Sequence, residues 1–294
     1  MGKCLAATVT FVLLLSLVML SLPVKAQTTD NIVINPDGSV TGWYVDQIGT
    51  TYTLLANITG NIQVEKSNIV INGSGYTLDG NGLGGIDLTN DVQHEYNNPT
   101  ISNVTIENLH LANGGVLTNG GANDTFYNDF FTRSGQMGFA IQLIGCSYNN
   151  ISYCSFDNQS QIGMDYSANL NTVTECNLPP YGVLVWLSGG ETIDKNYWSD
   201  YTTKYPNATE VDNSGIGNTP YVIYTVNDVV QTIVYQDNHP LMNPVTIPLI
   251  GSNTQTSIPE FPSLLVVIPT MLLTLFAAVI VRRRKIAHLK KATN

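Results

Sequence analysis

The sequence predicts an all-β protein: a short right-handed parallel β-helix of about 5–6 coils, with a cap at each end and one C-terminal transmembrane helix. Three observations lead to this fold class. Two short strand-like patterns alternate through the middle of the chain, asparagine and glycine recur in them, and an apolar run lies near each end of the chain. A β-sandwich is the alternative fold, because its strands also recur at short intervals.

The first element, residues 1–26, has the features of a secretory signal peptide. Lys3 precedes an apolar run that extends to Leu22, and Val24-Lys25-Ala26 follows as a cleavage site with small residues at its first and third positions. An uncleaved membrane helix is the alternative, although the run is short for a span. Residues 27–60 then form the predicted N-terminal cap, which covers the open edge of the first coil.

The predicted coils, residues 61–196, contain an asparagine-led and a glycine-led pattern. Asparagine-led copies begin at residues 68, 103, 123, 150 and 171, with a degraded copy at 191, and glycine-led copies begin at residues 85, 115, 138, 163 and 182. Apolar residues alternate within each copy, which indicates strands, and a period of about 20 residues indicates stacked coils. Coils stacked about 4.8 Å apart bury one continuous apolar column. We expect residues 70, 104, 151 and 173 to point into that column.

The turns of these coils contain asparagine and cysteine. Asparagine tolerates left-handed backbone, and its amide can hydrogen-bond to the asparagine of the next coil. Cys154 and Cys176 occupy one register 22 residues apart, so we expect an inward cysteine ladder; a disulfide is the alternative. With Cys146 the external segment holds three cysteines, which allows one disulfide at most.

The external segment is strongly acidic. Residues 27–260 carry all 22 Asp and Glu residues but four Lys and Arg, which gives a formal charge of −18. The four cations are Lys66, Arg133, Lys195 and Lys204. Such a surface repels phosphate groups, so nucleic acid is not expected as a partner. It suits cations, neutral glycans or simple solubility.

The end of the chain predicts a membrane anchor. The C-terminal cap is predicted over residues 197–243 and a linker over 244–260. Residues 261–281 are free of charge, and at about 1.5 Å per residue they cross the ~30 Å core of a bilayer. The basic tail 282–294 belongs in the cytoplasm by the positive-inside rule. The chain is therefore expected on the extracellular face of the membrane, with its N-terminus outside.

The residues before this helix resemble a known sorting signal. Ile258-Pro259-Glu260-Phe261-Pro262-Ser263 is similar to the PEF-type C-terminal signal of archaeal surface proteins. The resemblance implies an archaeosortase-like processing enzyme as a partner, which would remove the helix and transfer the product to another anchor. A permanent stop-transfer helix is the alternative.

A second resemblance covers residues 50–243. The coil patterns look like the NosD-type periplasmic copper-binding β-helix repeats. The segments that begin at Asn196, Gly215 and Asp237 are similar to the ending common in archaeal members. The resemblance implies the right-handed β-helix fold, which carbohydrate-binding proteins and sugar hydrolases share, and it implies little about activity.

One segment of the sequence is a candidate for metal binding. Members of this family often carry an Asp-rich loop that looks like a calcium loop, and the aligned positions here are Glu210, Asp212, Ser214, Gly215 and Asn218. Their oxygen atoms could bind Ca²⁺ weakly; a plain acidic turn is the alternative. Copper is not expected, because Cu(I) sites need clustered Met, Cys or His, and the sequence offers only His239 and Met242, together with Met137, Met164 and Cys154. His239 and Met242 fit a role in the C-terminal cap better.

Catalysis has few candidates. A polysaccharide lyase or hydrolase on this fold needs a dense row of catalytic side chains. The best set contains Asp87, Asp165 and Arg133, with His110 as a substitute for the arginine. An Asp in an alternating strand is more typical of a solvated outward residue, so the sequence leaves an enzyme open but does not favour it.

Binding has more support. Outward aromatic side chains on the flat faces of a β-helix suit stacking against sugars, and the candidates are Tyr153, Tyr166, Tyr181 and Trp186. Seven Asn-X-Ser/Thr sequons are potential N-glycosylation sites: Asn57, Asn72, Asn103, Asn123, Asn150, Asn158 and Asn207.

These observations favour a non-enzymatic cell-surface β-helix protein that binds glycans, mediates adhesion or forms part of the envelope. Surface polysaccharide is the expected partner. The first alternative is a carbohydrate-active enzyme of the lyase, hydrolase or epimerase type on the same fold. The second alternative is a NosD-like protein that handles metal, with copper as the metal.

Overall fold

The computed structural model describes residues 28–82, 84–89, 100–132, 138–223 and 235–248. Over these residues, short β-strands wind into a right-handed parallel β-helix, in which each coil contributes strands to three stacks. We call them stack I, stack II and stack III in the order in which a coil passes through them. Stack III contains strands from six coils, which agrees with the predicted number.

The bounds of the strands are as follows. Stack I consists of β3 (Val45–Ile48), β4 (Thr51–Leu54), β6 (Ile69–Asn72), β9 (Val104–Glu107), β12 (Thr125–Tyr127), β15 (Asn150–Ser152), β18 (Thr172–Thr174) and β21 (Thr192–Asp194). Stack II consists of β7 (Thr77–Asp79), β10 (His110–Ala112), β13 (Phe130–Thr132), β16 (Ser155–Phe156), β19 (Asn177–Leu178) and β22 (Tyr197–Trp198). Stack III consists of β8 (Gly85–Asp87), β11 (Gly115–Asn119), β14 (Ile141–Ile144), β17 (Ile162–Asp165) and β20 (Val183–Trp186), together with the second half of β5 (Ile58–Val64).

The N-terminal end of the helix is closed by antiparallel strands. β1 (Thr28–Ile34) pairs in parallel with all of β5, and β2 (Val40–Thr41) pairs antiparallel with β1. β3 covers β4 in the same antiparallel way. The first coil starts at β4, which lies within the range predicted for the cap, because β4 already pairs in parallel with β6.

The C-terminal end is closed by the helix α1 (Tyr201–Lys204) and by the antiparallel pair β23 (Tyr221–Ile223) and β24 (Tyr235–Asp237). The ring of Tyr221 stacks on Trp198, the last residue of stack II, with centroids 4.1 Å apart. The chain then returns along stack II, where the side-chain amide of Asn177 makes two hydrogen bonds with the backbone of Val245, at 3.0 and 2.8 Å. The closing segment therefore covers the end of the helix and part of one side.

The core is a set of apolar ladders. In stack I the inward ladder contains Ile71, Ile106, Phe126, Ile151, Val173 and Ile193, and each residue is in register with the next. All are at most 4 % exposed. Val104 also points inward, as predicted. Val70 does not, because it pairs with Thr105 on the outer face; Ile69 and Ile71 are its buried neighbours.

Two polar columns run along the corners inside the helix. The first polar column, before the stack I strands, contains Asp124, Asn149, Asn171 and Glu191, all at most 9 % exposed. Each of these side chains accepts a hydrogen bond from a backbone N–H of the preceding coil. The N–H of Val104 donates to Asp124 at 2.9 Å, that of Asp124 to Asn149 at 2.7 Å, that of Asn149 to Asn171 at 3.0 Å and that of Asn171 to Glu191 at 2.6 Å.

The second polar column lies at the corner between stacks I and II. Its members are Asp129, Cys154, Cys176, Asn196 and Asp237, all fully buried. Cys154 and Cys176 are free thiols in one inward register, as the sequence predicted. The two oxygens of Asp237 accept bonds from the N–H groups of Lys195 and Asn196 and from the indole of Trp198, so the closing segment supplies the last member of the column.

Asparagines also pair on the outside of the turns. Asn103 donates to Asn68 at 2.7 Å, and Asn128 donates to Asn108 at 2.9 Å. All four have left-handed backbone, with φ between 58° and 62°. These pairs confirm the predicted contact between asparagines of neighbouring coils.

The predicted signal peptide, transmembrane helix and basic tail lie outside the described residues, as does the linker beyond residue 248. Within the described ranges, no helix has the length and apolar character needed to cross a membrane.

Candidate functional site

The outer face of stack III brings together three residues that the sequence singled out. Asp165 is the last residue of β17, and it stands in register between Ile144 of β14 and Trp186 of β20. Tyr166 follows directly, with left-handed backbone at φ 49°. We call Gln142, Asp165, Tyr166 and Trp186 the stack III site.

Asp165 is the buried group of this site. Although it points outward from the coil, it is only 4 % exposed. The amide of Gln142, on the neighbouring strand, donates to Oδ2 at 3.2 Å. Oδ1 is buried and has no hydrogen-bond partner among the described residues. Burial raises the pKa of this carboxyl above its usual value, and the bond from Gln142 offsets part of that rise.

The aromatic pair of the site is accessible. The rings of Tyr166 and Trp186 have centroids 5.5 Å apart and planes inclined by 45°. Tyr166 is 56 % exposed, while Trp186 is partly exposed. The pair offers two ring faces to a ligand beside a buried acid. Apolar rings with a few well-placed polar groups are typical of small-molecule sites.

The other catalytic candidates do not join this site. Asp87 lies on the same outer face, but β11 and β14 separate its strand from β17, so the two backbones are about 14 Å apart. Asp87 is partly exposed, and its carboxylate accepts the backbone N–H of Thr89 at 2.8 Å. His110 is on stack II, with its ring between the hydroxyls of Thr77 and Thr132. Arg133 lies outside the described residues.

The two remaining aromatic candidates are elsewhere. Tyr153 is at the corner between stacks I and II, edge-on to Tyr127 with centroids 5.6 Å apart. Tyr181, 72 % exposed, borders a cavity of about 210 Å³ that Trp198, Lys204 and Tyr221 also line. The four predicted aromatic residues therefore belong to three separate places, and one pair forms a site.

A second concave region was not predicted. A groove of about 520 Å³ runs beside Asp87, and the side chains of Asn31 and Asn61 line it. Its floor is glycine because a Cβ on Gly85 would collide with the carbonyl oxygen of Gly115. The glycine pairs at 84–85 and 114–115 are the sequence feature from which this groove could have been predicted. None of the lining residues is aromatic, so the groove offers no ring for stacking.

The residues aligned with the calcium loop make hydrogen bonds within their own turn. Glu210 accepts the N–H of Gly215 at 2.5 Å, the hydroxyl of Ser214 donates to the carbonyl of Val211, and Asn218 bonds to Thr209. Asp212 lies in the turn with φ 49°. Across the described ranges, no three His, Cys, Asp or Glu side chains come together in a way that could hold a metal ion. Calcium binding here stays a prediction.

The residues considered for copper are also separate. His239 is bound to Asp194, with Nδ1 2.9 Å from the carboxylate, and Met242 packs against the core at the closing segment. Met164 and Cys154 are fully buried in different parts of the core, in stack III and in the second polar column. Met242 therefore has a packing role, whereas His239 is exposed and bound to Asp194.

The predicted glycosylation sites differ in exposure. Asn103, Asn123, Asn158 and Asn207 are exposed, while Asn57, Asn72 and Asn150 are partly buried. The side chain of Asn57 accepts the N–H of Thr77, and that of Asn72 accepts the N–H of Ser74 and donates to Glu107.

Comparison with known proteins agrees with this architecture. Residues 30–198 match the family model described as a right handed beta helix region. No curated protein and no solved structure matches the chain. The family match spans more than half of the sequence and covers the coils and the stack III site. The chain therefore belongs to the family of right-handed β-helix proteins.

Proposed function

We propose that this protein is a non-enzymatic carbohydrate-binding module of the cell surface, and that a sugar of a surface polysaccharide stacks on Tyr166 and Trp186. The observation that carries the proposal is the exposed ring pair beside a buried carboxyl and an amide. The rings provide apolar contact area for a sugar ring. Gln142 and Asp165 provide the polar groups that fix its orientation.

The geometry favours binding over hydrolysis. Glycosidases use two carboxyl groups about 5–9.5 Å apart on either side of the scissile bond. Asp165 has no such partner among the described residues of its face, because Asp87 is about 14 Å away along the stack. A single acid can orient a sugar hydroxyl, whereas acid–base catalysis of this type needs two groups.

A carbohydrate-active enzyme is the second candidate function, and one observation supports it. A carboxyl whose pKa is raised by burial beside an aromatic ring is the environment of a general acid. In that case Asp165 would protonate the leaving oxygen of the glycosidic bond. A residue outside the described ranges would have to supply the second group.

The test is a panel of polysaccharides applied to the purified full-length chain. We expect retention of at least one polysaccharide without release of products, and roughly tenfold weaker binding for Trp186→Ala and Tyr166→Ala. Tyr148→Ala is the matched control, because Tyr148 is also an exposed left-handed tyrosine, 61 % exposed and in the turn before the stack I strand β15. Reducing ends or unsaturated products would show an enzyme instead. Equal losses for Trp186→Ala and Tyr148→Ala would exclude the stack III site.

We also propose a location and a subfamily. Residues 1–26 direct export, and residues 261–281 hold the chain at the extracellular face of the membrane until a sorting enzyme acts on the Pro-Glu-Phe-Pro segment. The closing motifs support a NosD-type archaeal surface protein. Mass spectrometry of the native chain tests this, because signal cleavage and removal of the helix each change the mass of one terminal peptide.

A further inference from the structure

The stack III site contains a group that a neutral sugar does not explain. Asp165 is only 4 % exposed, so it is 96 % buried. Its Oδ1 atom contacts no solvent and has no hydrogen-bond partner among the described residues. An orphaned carboxyl oxygen costs free energy in the unbound protein. An unpartnered carboxyl oxygen in a binding site indicates that the ligand carries the group that pairs with it.

We infer that the stack III site selects sugars that carry a protonated amine, so that the preferred ligand is an amino sugar with a free ammonium group. This inference rests on the proposed function, since it names the class of sugar that the same site binds. The ammonium lies against the ring faces of Trp186 and Tyr166, and the Asp165 carboxylate neutralises it.

The aromatic residues are suited to a cation. An ammonium group within about 6 Å of a ring centroid is attracted by the π face, and tryptophan is the best of the aromatic side chains for this interaction. Two rings with centroids 5.5 Å apart and planes inclined by 45° can both be within that distance of one small cation. A neutral N-acetyl group gains no such attraction.

The carboxyl completes the match. The cost of ionising Asp165 in the free protein comes from desolvation, and a cation beside it offsets that cost, because an opposite charge favours the ionised form. Asp165 directly precedes the exposed Tyr166 and is in register with Trp186, so a cation held by the two rings lies next to the carboxyl. The acidic external segment adds a long-range attraction for cations.

The experiment compares two oligosaccharides of equal length, made of β-1,4-linked glucosamine and of N-acetylglucosamine, by calorimetry on the full-length chain. We expect roughly tenfold tighter binding of the glucosamine oligomer. Asp165→Asn should reduce this preference to less than about twofold, because it weakens the binding of the glucosamine oligomer more than that of the N-acetylated oligomer. A thermal melt of Asp165→Asn checks that the variant is folded.

Asp87→Asn is the matched control. It removes the same charge from the same outer face, about 14 Å from the site, and its carboxylate is already bonded to the Thr89 N–H. Diffuse attraction to the acidic surface predicts equal effects of the two variants and strong screening by salt. The site predicts a loss of preference in Asp165→Asn alone.

The outcomes separate the two proposals. Equal affinity of the two oligomers, both weakened by Trp186→Ala, would overturn the selectivity and leave carbohydrate binding intact. A preference for glucosamine that falls equally in Asp165→Asn and Asp87→Asn would overturn it as well. If neither oligomer binds and the polysaccharide panel is also negative, the proposed function itself fails.

Discussion

At the scale of single residues, the unusual feature is the number of acids inside the coils. Asp124 and Asp129 each have one buried carboxyl oxygen without a hydrogen-bond partner among the described residues. Desolvation raises the pKa of Asp124 to about 7 and that of Asp129 well above its usual value. In the corresponding places of other coils stand Asn149, Asn171 and Asn196, which accept the same kind of backbone N–H without a titrating group.

These acids make stability depend on pH. Because the folded-state pKa of Asp124 lies above that of the unfolded chain, its stabilising contribution is complete below about pH 4 and is lost as the pH rises to about 7. The rise from 3.8 to about 7 corresponds to roughly 4 kcal/mol at most. Burial raises the pKa of Asp129, Glu191 and Asp237 in the same direction, so these four buried acids all favour the folded state more in acid than at neutral pH.

Asp124→Asn should remove the contribution of that residue. Its amide oxygen can still accept the Val104 N–H, and its nitrogen has no charge to bury. We expect the variant to melt roughly 5 °C above the wild type at pH 8 and at the same temperature at pH 4. Asp46→Asn, at an exposed position on β3, is the control and should change neither melt. A variant that melts lower at pH 8 would contradict this account.

The sequence could predict part of the site at this scale. Asp165 and Trp186 belong to successive glycine-led copies, so the repeat predicts that their strands are neighbours. It does not predict their register, because Gly163 pairs with Leu184 and not with Gly182. The inward position of Asp124 and Asp129 did not follow, since Asn-Asp-Thr and Asn-Asp-Phe look like solvated turns. These acids lie inside because a carboxyl oxygen of each accepts a backbone N–H of the preceding coil. The local sequence does not indicate such a contact between coils.

At the scale of elements, stacked coils hold together through ladders rather than through separate strands. Many strands are two or three residues long, too short to be stable alone. Stack I and stack III could be predicted from their asparagine and glycine markers. Stack II could not, because strands such as Ser155–Phe156 are too short to show alternation. The predicted register was wrong by one residue at Val70, which lies on the outer face. A shift of one residue along a strand exchanges its inward and outward side chains.

The first polar column should contribute more to the free energy of unfolding than the neighbouring surface residues do. Asn171 accepts the N–H and the side-chain amide of Asn149, and it donates to the carbonyl of Cys146 at 3.1 Å. Asn171→Ala would leave these buried groups unpaired, so we expect a loss of about 2–4 kcal/mol in the free energy of unfolding. Denaturant unfolding measures it.

Asn169→Ala is the control for this prediction. Asn169 is two residues earlier and exposed, and its substitution should change the free energy of unfolding by less than about 0.5 kcal/mol. Similar losses in the two variants would mean that the column contributes no more than an ordinary surface asparagine.

At the scale of the whole molecule, exposure decides which predicted modifications are compatible with the fold. Asn123, Asn158 and Asn207 have exposed side chains. Asn57 and Asn72 use their side-chain oxygens to accept backbone N–H groups. A glycan on a partly buried amide would compete with those bonds and with the next coil.

We therefore expect glycans at Asn123, Asn158 and Asn207 and unmodified asparagine at positions 57 and 72. Peptide mass spectrometry of the protein from its native cells measures the occupancy of each sequon. The two groups serve as controls for each other, because all carry the same Asn-X-Ser/Thr signal. Full occupancy at Asn57 and Asn72 would mean that modification precedes folding.

Asp237 has a consequence for the size of the particle. Stacking of similar coils does not by itself limit their number, because a terminal coil with unpaired N–H groups can pair with a further chain. By accepting the N–H groups of Lys195 and Asn196 and the indole N–H of Trp198, this one carboxylate removes three donors from the last corner of the helix. End-to-end addition of a second copy at that corner would first have to displace Asp237, so this contact opposes growth into filaments.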